Sequence, residues 1–520
     1  MNVVVPALKA DADKSWVWLF CFGLATRLVF ILLAENNGTD AYARYLTALS
    51  ILKDPGHVPS EVWLPFHLWL LAAVLSVWSS EVAARLFTAM LGALTLLPFW
   101  GLARRAFDPR TAFYSTLVFA LFGFHVGYSV TTSSEVPTIF LLVLGVYGWL
   151  RFEEGSRWGW VVLAASAFSA ACLSRYEAWL YVIVLGIALL GSAPGWRSTL
   201  SNRRGWMRVL GFGFPASIGA LGWMLFSYVT WGDPLWSAHR TLSLNLNSPA
   251  YMNVQNPLTY RLAVVPGVLA VTLSPLILCL AVVGIVTTLR KFTLPASALA
   301  GLVLVLSGMH YFNAVYGHVT MARYTLMYSW LLIPFAFIGL AGTQRWWPRI
   351  SGQKVWVAVV IFALAWQGGV LAGSYWGPEV VGDKLSAVAP TLPPRHEIRR
   401  LARWLQAHAT TSDTLIVDEF NYESVEILRS GGMPASSVFV VPATGDSRDV
   451  ERQLTGFVKS RHPRLLVYCF KGRLSAMWAL PNLPEIELTG FGMRLRELWR
   501  GSDYRVYEIE YGRGSDIGDR

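Results

Sequence analysis

Cysteine, charge and nucleotide motifs are all in short supply in this sequence. Four cysteines occur, Cys21, Cys172, Cys279 and Cys469, far apart and without CxxC spacing, which excludes a disulfide framework and a thiolate metal site. Neither GxGxxG nor GK[ST] is present, so no nucleotide-binding loop is marked, and no internal repeat stands out. Only 14% of residues are charged, whereas 54% are hydrophobic and 24 are Trp. A soluble core has no use for so much apolar surface, so the composition is that of a polytopic membrane protein. The first apolar run begins near residue 15, lacks a small-residue cleavage pattern, and is expected to stay as an anchor.

The formal charge of +11 resembles a nucleic-acid signal only until it is divided along the chain. Residues 374–520 hold 19 basic and 19 acidic residues, so the whole excess belongs to the apolar part, with 24 basic against 13 acidic. The excess is therefore a topology signal and gives no reason to expect a nucleic-acid partner.

Runs of the roughly twenty apolar residues that a bilayer requires are expected near 15–34, 85–103, 111–128, 136–150, 158–174, 178–191, 209–230, 262–288, 296–315, 325–342 and 354–373, about eleven spans in all. One further run, "VWLPFHLWLLAAVLSVW" at 62–78, would invert every later loop if counted. Leaving it out as a juxtamembrane helix puts 16 Lys and Arg on one side and six on the other. The positive-inside rule then places the N-terminus in the cytoplasm and the C-terminal part outside. Pro98, Pro215, Pro266, Pro275 and Pro334 are expected to mark kinks of the kind membrane helices tolerate.

This gives a transmembrane domain over 1–375, with juxtamembrane helices at about 40–80, and a soluble extracytoplasmic α/β domain over 376–520. In the latter, strand-like "TLIVDEF", "SVFVV", "RLLVYCF" and "YRVYEIEY" alternate with helical "RHEIRRLARWLQAH", "ESVEILRSGG" and "DVERQLTGFVKSR", predicting a largely parallel sheet.

An ionisable group at membrane depth costs roughly 2.5–3.5 kcal/mol on insertion scales, so its position carries information. Asp40, Glu135, Arg175, Glu177 and Arg323 all fall at the outer ends of expected spans, and the long outer loop 231–261 adds His239 and Arg240. One external cavity lined by carboxylates, cations and aromatics suits a reaction between a neutral hydroxyl and an anionic, lipid-borne phosphate. A carboxylate accepts the hydroxyl proton, guanidinium groups pair with the phosphate, and aromatic faces stack on sugar and isoprenoid. The expected partners are a polyprenyl-phosphate-linked sugar donor, an extracytoplasmic acceptor and membrane lipids.

Several of these residues carry a family resemblance. "TDAYARYL", "WLPFHLWL", "ARLFTAMLGALTLLPFWGLARRAF", "SSEVPTIFLLVLGVYGWL", "SRYEAWLYV" and "ARYTLMYSWLLIPFAFIGL" follow one another over residues 15–345 in an order that resembles the GT-C superfamily of membrane glycosyltransferases. Within it, the similarity is to the branch of protein O-mannosyltransferases and the bacterial aminoarabinose transferase of lipid A. The resemblance implies an inverting glycosyltransferase of a bacterial or archaeal plasma membrane, with a mannose-like donor sugar. It implies that Asp40 activates or positions the acceptor, that Glu135 is the acid of the second outer loop, and that Arg323 and Tyr324 lie near the lipid phosphate. Arg44, Arg175 and Arg240 are further phosphate candidates, and Tyr42, Glu177 and His239 are candidates for acceptor or sugar binding. Thr39-Asp40 stands where the O-mannosyltransferases have an Asp-Glu pair, which argues against a protein acceptor. The absent "WWDYG" argues against oligosaccharide transfer to asparagine.

Structural roles stay open for each residue. Asp40 also fits a helix cap, Glu135 an N-terminal helix charge, and Arg175, Glu177 and Arg323 an ion pair or interfacial anchors. His67, His239, His310 and His318 are read as packing or interfacial residues. Mg²⁺ or Mn²⁺ between Asp40 and Glu135 is possible in principle, but two acids make a thin site and no cofactor is required. The competing function is a lipid or lipid-linked-sugar flippase, although transporters usually carry their charges near the midplane.

Overall fold

The computed structural model describes residues 14–34, 36, 39–55, 62–155, 157–190, 203–246, 256–316, 322–346, 352–376, 396–410, 412–418, 437–441, 447–470, 472–478, 483–488 and 492–512. Two compact units form: Met1–Asn36 with Arg44–Pro393, and Asn37–Ala43 with Pro394–Arg520.

The first unit is helical throughout its described elements. Among the described residues, seven helices are long and apolar enough to cross a membrane, up to nine if each of two bent pairs counts as one span. The chain is a polytopic membrane protein. The runs at 158–174 and 178–191 become helices of 15 and 14 residues, Trp158–Cys172 and Glu177–Leu190, short of a full span by length. Phe66–Val77, inside the run left out of the count, has 12 residues, about 18 Å at 1.5 Å each and too short to cross.

The expected span at 262–288 is two helices, Leu258–Leu273 and Pro275–Lys291, meeting at 108°. Pro275 is therefore more than a kink: it opens a new helix whose N-terminus is capped by the Ser274 hydroxyl, with Ser274 at φ 86°. A second bend of 53° separates Pro109–Ala120 from Gly123–Ser129. Breaks at membrane depth are tolerated only where neighbours satisfy the freed backbone groups. Gln367 does so at both. Its Oε1 accepts the Gly123 N–H at 2.9 Å and its Nε2 donates to the Thr272 carbonyl at 2.8 Å. Trp366 beside it donates to the Val271 carbonyl at 2.7 Å. Gln367→Leu leaves two buried groups unpaired, at roughly 1–3 kcal/mol for each, and the expected result is a lowered unfolding midpoint in detergent.

Arg27, fully buried in the first helix, serves the second break. It donates to the buried Ala120 carbonyl at the bend at 3.2 Å, and to Ser129 Oγ at 3.2 Å and His125 Nδ1 at 2.8 Å. Close packing elsewhere depends on small residues. A side chain at Gly284 would collide with the Phe335 carbonyl, and one at Gly339 with the Leu280 carbonyl, so Pro275–Lys291 and Ala322–Trp346 cross backbone to backbone.

The second unit contains a six-stranded sheet of order β2-β1-β3-β6-β5-β4, where β1 is Leu415–Val417, β2 Val438–Val440, β3 Leu465–Cys469, β4 Glu485–Leu488, β5 Met493–Arg500 and β6 Tyr504–Tyr511. The largely parallel sheet expected from the pattern is mixed. β1 is parallel to β2 and β3, while β3-β6, β6-β5 and β5-β4 are antiparallel. The parallel half follows from the crossover helix Ser447–Arg461, which buries Val450, Leu454 and Val458. The antiparallel half follows from the short β4-β5 and β5-β6 connections, too short for a crossover. "ESVEILRSGG" lies outside the described residues.

Candidate active site

Two of the loops singled out in the sequence are fixed to each other by buried polar groups. The loop Val130–Ser134, which leads into the helix Glu135–Gly155, is buried throughout despite being almost wholly Thr and Ser. Asn36 brackets Thr132, donating to its Oγ1 at 3.0 Å and accepting its N–H at 3.0 Å. From the other side, Arg85 donates through Nε to the Val130 carbonyl at 2.7 Å and through Nη2 to the Ile31 carbonyl at 3.2 Å and to the Ala34 carbonyl. A guanidinium set on the last carbonyls of Ser15–Leu33 also complements that helix's macrodipole. The first helix thus ends against the loop that begins the Glu135 helix.

Glu135 opens that helix at 2% exposure, where an unpaired carboxylate would cost several kcal/mol. Two arginines compensate it. Arg175 Nη1 lies 2.8 Å from Glu135 Oε1, and Arg323 Nε lies 3.8 Å from the same oxygen. No hydrogen bond to Oε2 is formed among the described residues. Arg175 is held from behind by Glu177, with Nη2 to Oε1 at 2.9 Å and Nε to Oε2 at 3.3 Å. This fork-to-fork pairing sets its orientation. The resulting chain, Glu177, Arg175, Glu135, Arg323, alternates in sign and sums to zero. Burial opposes the charge on Arg175, but Glu177 and then Glu135 outweigh it and hold the guanidinium above its ordinary value.

Aromatic rings border the chain. Tyr324 lies 5.6 Å from the Arg175 guanidinium and 6.0 Å from that of Arg323, centroid to carbon. His310 stacks on Tyr324 at 5.9 Å, and both line a small pocket with Val264, Val265, Val268, Ala322 and Thr325. The Tyr176 hydroxyl, buried beside Ser237, is pushed up to about 12, chiefly by burial. His67 is fully buried and held well below its ordinary value, first by burial and then by Arg44 and Arg175.

Of the residues selected from sequence, the structure brings together Glu135, Arg175, Glu177, Arg323 and Tyr324. Arg44 is buried with its guanidinium 4.4 Å over the Trp63 ring. His239 is 61% exposed and pairs with Asp233 at 2.6 Å, and Arg240 is half-buried on the same helix, Trp236–Leu246. Asp40 and Tyr42 belong to the other compact unit, both half-buried, with Asp40 in the first turn of Thr39–Lys53. His318 lies outside the described residues. Arg27, Asn36, Arg85 and Gln367 were not selected. The signal for the two arginines was present, since each interrupts an apolar run where a charge demands a partner.

Residues 57–223 match the family described as dolichyl-phosphate-mannose-protein mannosyltransferase. ArnT from Cupriavidus metallidurans, solved bound to undecaprenyl phosphate, superposes with a TM-score of 0.57 at 15% identity, covering 95% of this chain and 98% of that one. The apo oligosaccharyltransferase of Archaeoglobus fulgidus superposes with a TM-score of 0.54 at 12% identity, covering 89% of this chain and 70% of that one. The chain has the GT-C fold. The archaeal GT-C enzyme has also been solved with an inhibitory peptide and a dolichol-phosphate, at a TM-score of 0.50, 13% identity and the same coverages of 89% and 70%. Glu135, Arg175 and Glu177 fall inside the segment matching the mannosyltransferase family, while Arg323 and Tyr324 lie beyond it. No curated protein matches this sequence.

Proposed function

We propose that the protein is a glycosyltransferase that moves a sugar from a polyprenyl phosphate to a hydroxyl acceptor on the extracytoplasmic side of the membrane. The observation that carries this reading is Glu135, a buried carboxylate with one oxygen held by Arg175 and Arg323 and the other without a hydrogen bond among the described residues. Further support comes from the fold, shared with an enzyme solved with undecaprenyl phosphate.

In this reading the acceptor oxygen attacks the anomeric carbon from the face opposite the phosphate. The new carbon–oxygen bond forms as the bond to the phosphate oxygen breaks with inversion, and polyprenyl phosphate leaves with the electron pair. The acceptor proton passes to a carboxylate, for which Asp40 and Glu135 are the candidates. The growing charge on the leaving phosphate is met by Arg323, with Tyr324 beside it. A phosphate leaves readily, so no separate general acid is needed. The cytoplasmic N-terminus implied by the positive loops puts these groups outside.

Asp40→Asn tests the share of the first loop. The expected result is loss of transfer by at least about 10²-fold, with unfolding midpoint and undecaprenyl phosphate binding kept. Full transfer by the variant would remove Asp40 from the mechanism.

A further inference from the structure

Arg175 lies between the two carboxylates of the ion chain, and its side-chain hydrogen bonds go to them. Nε and Nη2 face Glu177 and Nη1 faces Glu135, and its side chain is only 10% exposed. Glu177 pairs with Arg175 at 11% exposure, and His310 lies within reach of its charge. Buried in this way, Glu177 does not act as a surface charge, and its field reaches the neighbouring Arg323 and Tyr324 with little screening.

We infer that Glu177 is a counter-charge that sets how tightly the site keeps the polyprenyl phosphate leaving group, by neutralising Arg175 rather than by touching substrate. The inference rests on the reading above, in which a polyprenyl phosphate binds beside Arg323. Transfer converts a phosphodiester carrying one negative charge into a monoester carrying between one and two. A site with two unopposed arginines would hold that product more strongly than the donor and turn over slowly. With Glu135 and Glu177 both ionised, the four side chains sum to zero, so attraction for the product is limited to local contacts with Arg323 and Tyr324. Removing the Glu177 charge leaves a net charge of +1.

The test is equilibrium binding of undecaprenyl phosphate to the full-length protein in zwitterionic nanodiscs at low salt, for the wild type, Glu177→Gln, and the double variant Glu177→Gln/Arg175→Gln. Glu177→Gln is expected to bind about tenfold more tightly, the size of effect one charge exerts across a partly buried site, and the gain should shrink as salt is raised. The double variant removes both charges, stays neutral, and is expected to bind within about threefold of the wild type. Unchanged or weaker binding by Glu177→Gln overturns the inference. So does a loss of tenfold or more in the double variant, which would make Arg175 itself a phosphate ligand. If Glu177→Gln does not fold, the double variant decides by the same criterion. A wild type that does not bind undecaprenyl phosphate at all overturns the functional reading, and this inference with it.

Discussion

Glu135→Gln is expected to lower sugar transfer by about 10²–10⁴-fold, the usual contribution of a positioned acid–base group. Glutamine keeps the shape and can still accept from Arg175 through its amide oxygen, so the fold should survive. What it loses is the charge that a proton acceptor needs and that two guanidinium groups orient through Oε1. Arg175 retains Glu177 at 2.9 Å, so no buried cation is stranded. The measurements are turnover of the lipid-linked sugar and the unfolding midpoint in detergent. Lost turnover with an unchanged midpoint supports a chemical role, whereas a midpoint that falls together with turnover would make Glu135 a structural ion-pair partner. Glu135→Asp retains the charge but withdraws it by about one methylene, and should recover only part of the rate, since misplacement on the order of 1 Å costs about 10²-fold.

Arg85→Met should have the largest effect on stability, about 3–5 kcal/mol, from the loss of charge-assisted hydrogen bonds to three carbonyls of two separate segments. Ile31 and Ala34 belong to the end of the first helix and Val130 to the loop before Glu135. The arginine therefore fixes the end of the first helix against the loop that leads to Glu135. Its loss should reduce transfer as well as stability, although Arg85 is not assigned to the chemistry. Arg85→Lys supplies one point donor in place of a planar fork and should restore less than half of the lost stability. A midpoint for Arg85→Met within about 1 kcal/mol of the wild type would show that Asn36 and Thr132 hold the two loops without it.

The positions of the helices were legible because a bilayer imposes a length: an apolar run of about twenty residues is rare unless it crosses. The meeting of Glu135, Arg175, Glu177 and Arg323 was legible for a related reason. Charges that fall at the same ends of successive spans have few places to go but one shared layer. The sharp break at Ser274 was hidden because apolar composition runs straight through it, and Pro275 alone does not separate a kink from a 108° turn. The satisfying partner, Gln367, lies almost a hundred residues away from Thr272 on another helix, and no local pattern points to it. In the C-terminal unit, "EIEL" and "MRLRELWR" escaped notice as strands because their outward positions carry Glu and Arg. Those charges pair across the sheet, Arg494 with Glu485 and Arg496 with Glu508, which becomes visible only once the register is known. The division of work within the ion chain was equally out of reach, since spacing cannot tell an arginine that meets a phosphate from one already held by two carboxylates.

The central claim is that a sugar leaves a polyprenyl phosphate at this site. The most direct measurement is mass spectrometry of polyprenyl lipids after purified protein is reconstituted with lipids extracted from its source membrane, alongside Glu135→Gln as control. The account predicts that sugar-linked polyprenyl phosphate falls and free polyprenyl phosphate rises one for one with the wild type and not with the variant. Sugar-linked lipid that moves between leaflets while free polyprenyl phosphate stays constant would contradict it.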